Sequence, residues 1–380
     1  MKRLIPSLIL LTATAPALGA NAFNPNLSLV LDGSYQNSDA ALGGGSEGFS
    51  LGHTELTMDA NVDDQFYGRL TAVLEDHGVE TEIGLEEAFV ETTGLPSGLQ
   101  LKLGRFLSGI GYLNGRHTHE DDFAMRPAVY RALLGSHYFD DGVQLQWLLP
   151  TNIYWLWRIE GLNGKRMLGS THDRGLGVAT ISTKLGGDIN ASHSWQAGFS
   201  YVYNRLTNVG QDDAHEHDHE EEEHDHDHDD HDDHGHSHAV SYPGKHLYIV
   251  DGVWKWAPNG NARAKALKLS AEYLLARDPN RYATSDDTQE GWYAAASYKF
   301  APAWQIAVRT GAVDLSEPHG DHFHAQQLTE SDVSLTWSRS HFSKLRLMFS
   351  HQDSDDFDAE ESLIKIQYQM VLGAHGAHAY

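Results

Sequence analysis

The sequence predicts an all-β fold: a transmembrane antiparallel β-barrel of about sixteen strands, with one loop folded into its lumen. Three observations carry this reading. Apolar and polar residues alternate with a period of two through most of the chain, as in strands whose two faces meet different surroundings. Long polar loops alternate with short turns, the asymmetry of outer-membrane barrels, whose loops face outside and whose turns face the periplasm. After an N-terminal export segment there is no apolar run of spanning length and no cysteine. Strands are then the only means of crossing a membrane, and disulfide and thiolate chemistry are excluded.

In chain order, Lys2-Arg3, the apolar stretch Leu4 to Ala15 and the small residues Ala20-Asn21-Ala22 lay out a secretory signal over residues 1–22, with cleavage after Ala20 as the alternative. Residues 23–380 form a single barrel domain, its first strand near Asn26 to Ser34. Val143, Leu145 and Trp147 oppose Gln144 and Gln146, and Ile153, Trp155, Trp157 and Ile159 oppose Arg158 and Glu160. Further on, Leu267, Leu269, Ala271 and Tyr273 oppose Lys268, Ser270 and Glu272, and Val333, Leu335 and Trp337 oppose Ser334, Thr336 and Ser338. The last strand sets Ile364, Ile366, Tyr368 and Met370 against Lys365, Gln367 and Gln369. Long loops are expected at 36–47, 108–138, 161–173, 207–244, 277–289 and 316–330. Short turns are expected at 61–64, 94–98, 150–152, 258–261 and 301–302, and the tight connection at 76–78 breaks the pattern. An even strand number returns the C-terminus to the turn side. Trp195, Trp292 and Trp304 begin strands, where an interfacial aromatic girdle lies, and the chain ends in Tyr380.

The loop at 107–138 is not a spacer. Tyr112, Leu113, Phe123, Val129, Tyr130, Leu133 and Leu134 would be wasted on an exposed segment, so it is expected to fold inward and narrow the channel. It would then present Arg116, His117, His119, Glu120, Asp121 and Asp122 at the constriction. The alternative is that these acids and Arg126 and Arg131 only satisfy one another in an ion-pair network.

The loop at 206–244 contains the run DDAHEHDHEEEEHDHDHDDHDDHGHSH at 212–238, which cannot build a core. Its imidazoles, His215, His217, His219, His224, His226, His228, His231, His234, His236 and His238, are interleaved with carboxylates. That donor set suits Zn²⁺ and, less selectively, Ni²⁺, Co²⁺ and Cu²⁺. Plain alternation fixes no geometry, so the expectation is many weak, labile zinc sites and no organic cofactor; a solvated acidic linker is the competing reading. A smaller cluster, His319, His322 and His324, is expected in the loop at 316–330 on the same rim. The scattered His53, His77, His137, His341, His351, His375 and His378 are read as surface residues. The net charge of −26 argues against nucleic acid as a partner.

Catalytic patterns match only by accident. His215 to His219 fits H-E-x-x-H, and Gly43 to Gly48 fits G-x-G-x-x-G, but neither stands in the helical context its chemistry needs. No enzymatic activity is expected.

The order of export signal, NPNLSLVLDGSY, LKLGRFLSGIGYLNGRHTHEDDF and RPAVYRALLG resembles the phosphate-selective porin family, and more closely its His-rich, zinc-regulated outer-membrane branch; residues 101–135 are the most specific stretch. The resemblance implies a sixteen-stranded general-porin fold, an inward constriction loop and a homotrimer among outer-membrane lipid and lipopolysaccharide. The chain departs from the family in its acidity, with 27 basic residues against 53 acidic, and it sets Glu80, Glu82 and Glu86 at lumenal positions beside Arg69, Lys102 and Arg158. The leading expectation is therefore a passive porin that concentrates divalent metal, zinc first, at its mouth. An anion, phosphate or general solute porin with an incidental His-rich loop is the alternative. An energised receptor would need a plug inside a roughly 22-stranded barrel, for which the chain has no room. A metal buffer or adhesin anchored by its barrel is the remaining reading.

Overall fold

A computed structural model describes residues 25–76, 81–168, 175–205, 244–279, 282–319, 322–357 and 360–373. The strands are β1 (Asn26–Gln36), β2 (Gly48–Leu51), β3 (Thr54–Asn61), β4 (Phe66–Asp76), β5 (Thr81–Thr92), β6 (Leu99–Leu107), β7 (Phe139–Leu148), β8 (Tyr154–Leu162) and β9 (Val178–Asn190). They continue as β10 (His193–Asn204), β11 (His246–Trp256), β12 (Ala266–Arg277), β13 (Thr288–Ala301), β14 (Trp304–His319), β15 (His322–Ser340), β16 (Ser343–Asp353) and β17 (Ser362–Gly373). From β3 onward each strand pairs antiparallel with the next in sequence, and β1 pairs with β17, which closes the sheet. Both β2 and β3 pair with β1, interrupted at Gly52 and His53, so they share one position and the barrel has sixteen strands.

Burial runs opposite to that of a soluble protein. On β7, Val143, Leu145 and Trp147 are 42%, 42% and 44% exposed, whereas Gln144 between them is 4% exposed. The same inversion holds on β15, where Val333, Leu335 and Trp337 face out while Asp332, Ser334 and Thr336 are buried, and on β17. Large apolar side chains left outside and polar ones enclosed make sense only if the outer surface meets hydrocarbon. Trp292 and Trp304 belong to that outer face.

Loops and turns fall on opposite rims as expected, and the strands flanking the His-rich segment end at Asn204 and resume at His246. One expectation is overturned. Residues 316–330 are not a loop: β14 and β15 run on as a hairpin whose register pairs Glu317 with His324 and His319 with His322. At 16 and 19 residues, these strands exceed the roughly 9–11 needed to span. The hairpin therefore projects beyond the barrel wall. Residues 1–24, 77–80, 206–243 and 374–380, which hold the export signal, the tight connection, the run at 212–238 and Tyr380, lie outside the described residues.

Candidate functional site: the loop inside the barrel

The segment between β6 and β7 lies within the lumen, and it carries the helix α1 (Ala128–Leu134), every residue of which is buried. Its apolar anchors Val129, Tyr130, Leu133 and Leu134 join Ile249, Leu274, Tyr293, Val313 and Leu328 of the inner wall in one core. Burying each such side chain favours docking by about 1.5–3 kcal/mol. Pro127 precedes the helix and Gly135, in the left-handed conformation, ends it, the usual asymmetry of stop and start residues. The neck of the loop is closed by Asn114, whose amide donates to the carbonyls of Ser108 (2.8 Å) and Tyr138 (2.9 Å) and accepts from the Tyr138 N–H.

Wall side chains hold the loop backbone. Arg309 donates to the Met125 carbonyl (2.9 Å), Arg346 to that of Phe123 (2.9 Å), Lys184 to that of Gly111 (2.7 Å), and Lys344 to that of His119. The Glu272 carboxylate accepts from the Tyr112 and Leu113 N–H groups and from the Tyr130 and Tyr293 hydroxyls. A Cβ on Gly111 would stand 2.6 Å from both Glu272 Oε2 and the Tyr130 hydroxyl, and φ there is +58°. Only glycine passes so close to the wall.

The expected constriction residues divide into two groups. Arg116 pairs with Glu120 (3.2 Å), Asp121 with Arg126 (2.6 Å), and Asp122 with Lys268 of β12 (2.6 Å). Burial alone would raise the Asp122 carboxyl, but Lys268 beside it holds it below the ordinary value. Of the expected network, Asp121 meets Arg126 within the loop, whereas Asp122 turns to Lys268 of the wall and Arg131 reaches Glu330 of β15 at 2.7 Å. His117 and His119 do something else. They point to the opposite wall, where His117 Nδ1 is 3.3 Å from Glu55 and 3.2 Å from Glu86, its Nε2 is 3.2 Å from Glu87, and His119 Nδ1 is 2.9 Å from Glu55.

Two further imidazoles complete that cluster. His53 Nε2 lies 3.3 Å from both Glu55 and Glu86, and His137 Nε2 lies 2.7 Å from Glu86. His53 and His137 are thus enclosed in the lumen, not scattered over the surface, and Glu55 and Glu87, which the alternation does not mark, join them. Breaks in alternation hide them. Between β4 and β5, Thr71 faces Glu87 and Ala72 faces Leu85, which leaves Glu86 as the extra residue of a bulge and turns both glutamates inward. The interruption at Gly52 and His53 likewise changes the inward set from even positions on β2 to odd positions on β3, delivering Glu55 to the lumen. The visible signals were Gly-His-Thr-Glu at 52–55 and adjacent glutamates inside a strand. Burial works against charge on His117, yet the surrounding carboxylates outweigh it and hold its imidazole well above the ordinary value; for His137 burial prevails and lowers it.

The remaining expectations place as follows. His215, His217, His219, His224, His226, His228, His231, His234, His236 and His238 lie outside the described residues, as do Glu80, His77, His375 and His378. His322 and His324 are exposed on the projecting hairpin, His319 being registered opposite His322. Arg158, Lys184, Lys255 and Lys268 occupy inward positions on β8, β9, β11 and β12, with Lys255 and Lys268 directly paired in register. They lie on a stretch of wall away from Glu55, Glu86 and Glu87, interspersed with the buried acids Glu160, Asp251 and Glu272 of the same strands.

A closed antiparallel barrel with an apolar exterior, a polar interior and an inserted loop defines an outer-membrane β-barrel. Solved structures of that class resemble it. OmpT of the Vibrio cholerae outer membrane, in its trimer form, gives a TM-score of 0.56 at 8% identity, over 92% of this chain and 99% of that one. The outer membrane channel DcaP of Acinetobacter baumannii gives 0.54 at 11% identity, over 92% and 96%. An anion-selective porin from Comamonas acidovorans gives 0.55 at 12% identity, over 92% and 99%. An uncharacterized protein of Aquifex aeolicus (strain VF5) is 26% identical over 409 residues, 94% of this chain and 80% of its own length. No protein-family model matches the chain.

Proposed function

We propose that this chain is an outer-membrane porin whose mouth gathers divalent metal, zinc first, and lets it pass down its gradient into the periplasm. The observation that supports the reading is that β10 ends at Asn204 and β11 begins at His246 on the loop rim of a barrel whose lumen is narrowed by an inserted loop, and the sequence joining them contains the His- and acid-rich run at 212–238. Imidazole and carboxylate are the donors a labile zinc ion takes from a cysteine-free chain. A dense anionic run also raises the local cation concentration. His322 and His324 project from the same rim. Passive flow needs neither plug nor energy coupling. A homotrimer is part of the proposal, in keeping with the trimeric form recorded for the Vibrio cholerae neighbour.

One observation favours a second reading, an anion-passing porin. Arg158 and Lys255 face inward beside Lys184 and Lys268, which hold the loop, and give this stretch of wall a basic character that suits anions; one structural neighbour is described as anion-selective. Reversal potentials in a planar bilayer under a salt gradient separate the two. Cation preference supports the metal reading, and a strong preference for phosphate or chloride supports the second.

A further inference from the structure

We propose that the loop is clasped to the barrel wall by one or two bound divalent cations of the zinc type, held by two adjoining ligand groups, His53, Glu86 and His137, and Glu55, His117 and His119. The site differs from the His-rich segment in place and in kind, and it would stand even if the channel passes anions. Two ligand groups adjoin there, His53 with Glu86 and His137, and Glu55 with His117 and His119; within each group the donor atoms all lie within 4.8 Å of one another. A tetrahedral zinc with ligands at 2.0–2.1 Å sets its donors about 3.3 Å apart along each edge. The separations of His53 from Glu55 and Glu86 are both 3.3 Å, and those of His117 from the same carboxylates are 3.3 and 3.2 Å. His53 faces the Oε1 atoms of both carboxylates and His117 their Oε2 atoms, so nitrogen–oxygen pairs at ligand spacing stand on both edges of the glutamate pair.

Charge gives an independent reason. Where the loop meets the other wall, its carboxylates are matched by Lys268 and Arg126, and Glu330 by Arg131 and Arg309. Among the described residues, Glu55 and Glu86, both buried, are faced at ion-pair distance by imidazoles alone, and the guanidinium of Arg69 reaches Glu87, at 3.7 Å. Paired buried carboxylates need compensating positive charge, and a divalent ion would supply it by displacing the imidazole protons and taking the nitrogens as ligands. Hydrogen bonding leaves a ligand atom to spare: His53 Nε2, which faces both carboxylates, is enclosed with no well-formed hydrogen bond. The ligands come from the interrupted β2–β3 position, from the bulge of β5, from the outgoing limb of the loop and from its last turn before β7. An ion there ties both ends of the loop to one side of the barrel.

The test uses the full-length protein in detergent, loaded with ZnCl₂, passed over a chelating resin, and assayed for retained zinc by mass spectrometry. One or two equivalents should survive on the intact chain and on a chain lacking 212–238. They should be lost from Glu55→Gln/Glu86→Gln, and also from the milder His119→Gln, which keeps a hydrogen-bond donor toward Glu55. A heat-modifiable gel shift identifies correctly folded barrel in each preparation. Retained zinc that disappears with 212–238 yet persists in both substituted chains overturns the clasp, as does the absence of retained zinc from intact folded protein. The collecting role of 212–238 is read separately, from the weak zinc that the resin removes.

Discussion

At the scale of single residues, the loop's attachment rests on buried ion pairs whose partners sit far apart in sequence. Arg131 is the sharpest case, enclosed against Glu330, which also accepts from Arg309 and Gln352. Removing one member of such a pair strands a buried charge and typically costs 3–5 kcal/mol, whereas replacing both with apolar residues is often neutral. Arg131→Met should therefore lower stability by about 3 kcal/mol, the low end because Arg309 still faces Glu330. Arg131→Met/Glu330→Met should recover much of that loss. Urea titration followed by tryptophan fluorescence in detergent checks both; a double variant as unstable as the single one would show that the charge was not the issue. Residue-level legibility was uneven. His117 and His119 stood out because the loop's apolar content announced an inward fold, and Asp121 and Asp122 came with them. His53, Glu55, Glu87 and His137 did not, because a bulge and a strand interruption decide which way they face, and neither follows from a period of two.

Among the elements, the inserted loop and the His-rich segment make separable predictions. Deleting residues 117–122 removes His117, His119, Asp121 and Asp122, and with them the contacts to Glu55, Glu86, Arg126 and Lys268. Single-channel conductance should rise, and unchanged conductance would mean that this limb does not limit the path. Deleting 212–238 should leave assembly intact, since β10 and β11 pair along their length without it and loop length adds little closure cost. The same deletion should abolish weak zinc binding measured by calorimetry at neutral pH. In the intact chain that binding should fade as pH drops through about 6.5, because only neutral imidazole coordinates and protons compete below that value. Binding that is flat down to pH 5 would assign the metal to carboxylates instead. Most elements were legible because alternation and loop asymmetry are local signals. The hairpin of β14 and β15 was not: the polar, His-bearing 317–324 reads as a loop, yet cross-strand pairing carries the ladder through it beyond the bilayer.

For the whole molecule, the inversion of burial, apolar outward and polar inward, is what turns a period of two into a membrane barrel and a chain of negative mean hydropathy into a spanning protein. That inversion was readable in outline, since Gln144, Gln146, Gln367 and Gln369 could not all face hydrocarbon. Which ions pass was less so, because the lumen carries both the glutamates of β3 and β5 and the cations of β8, β9, β11 and β12, and only the fold sets them on different stretches of wall. Selectivity therefore has to be measured. Proteoliposomes containing a zinc-sensitive dye and the purified protein should fill from dilute external Zn²⁺ without any energy source. Filling should be several times faster than in protein-free vesicles, and the advantage at low external Zn²⁺ should shrink when 212–238 is deleted. Zinc entry no faster than in protein-free vesicles, alongside rapid phosphate entry in parallel vesicles, would contradict the account.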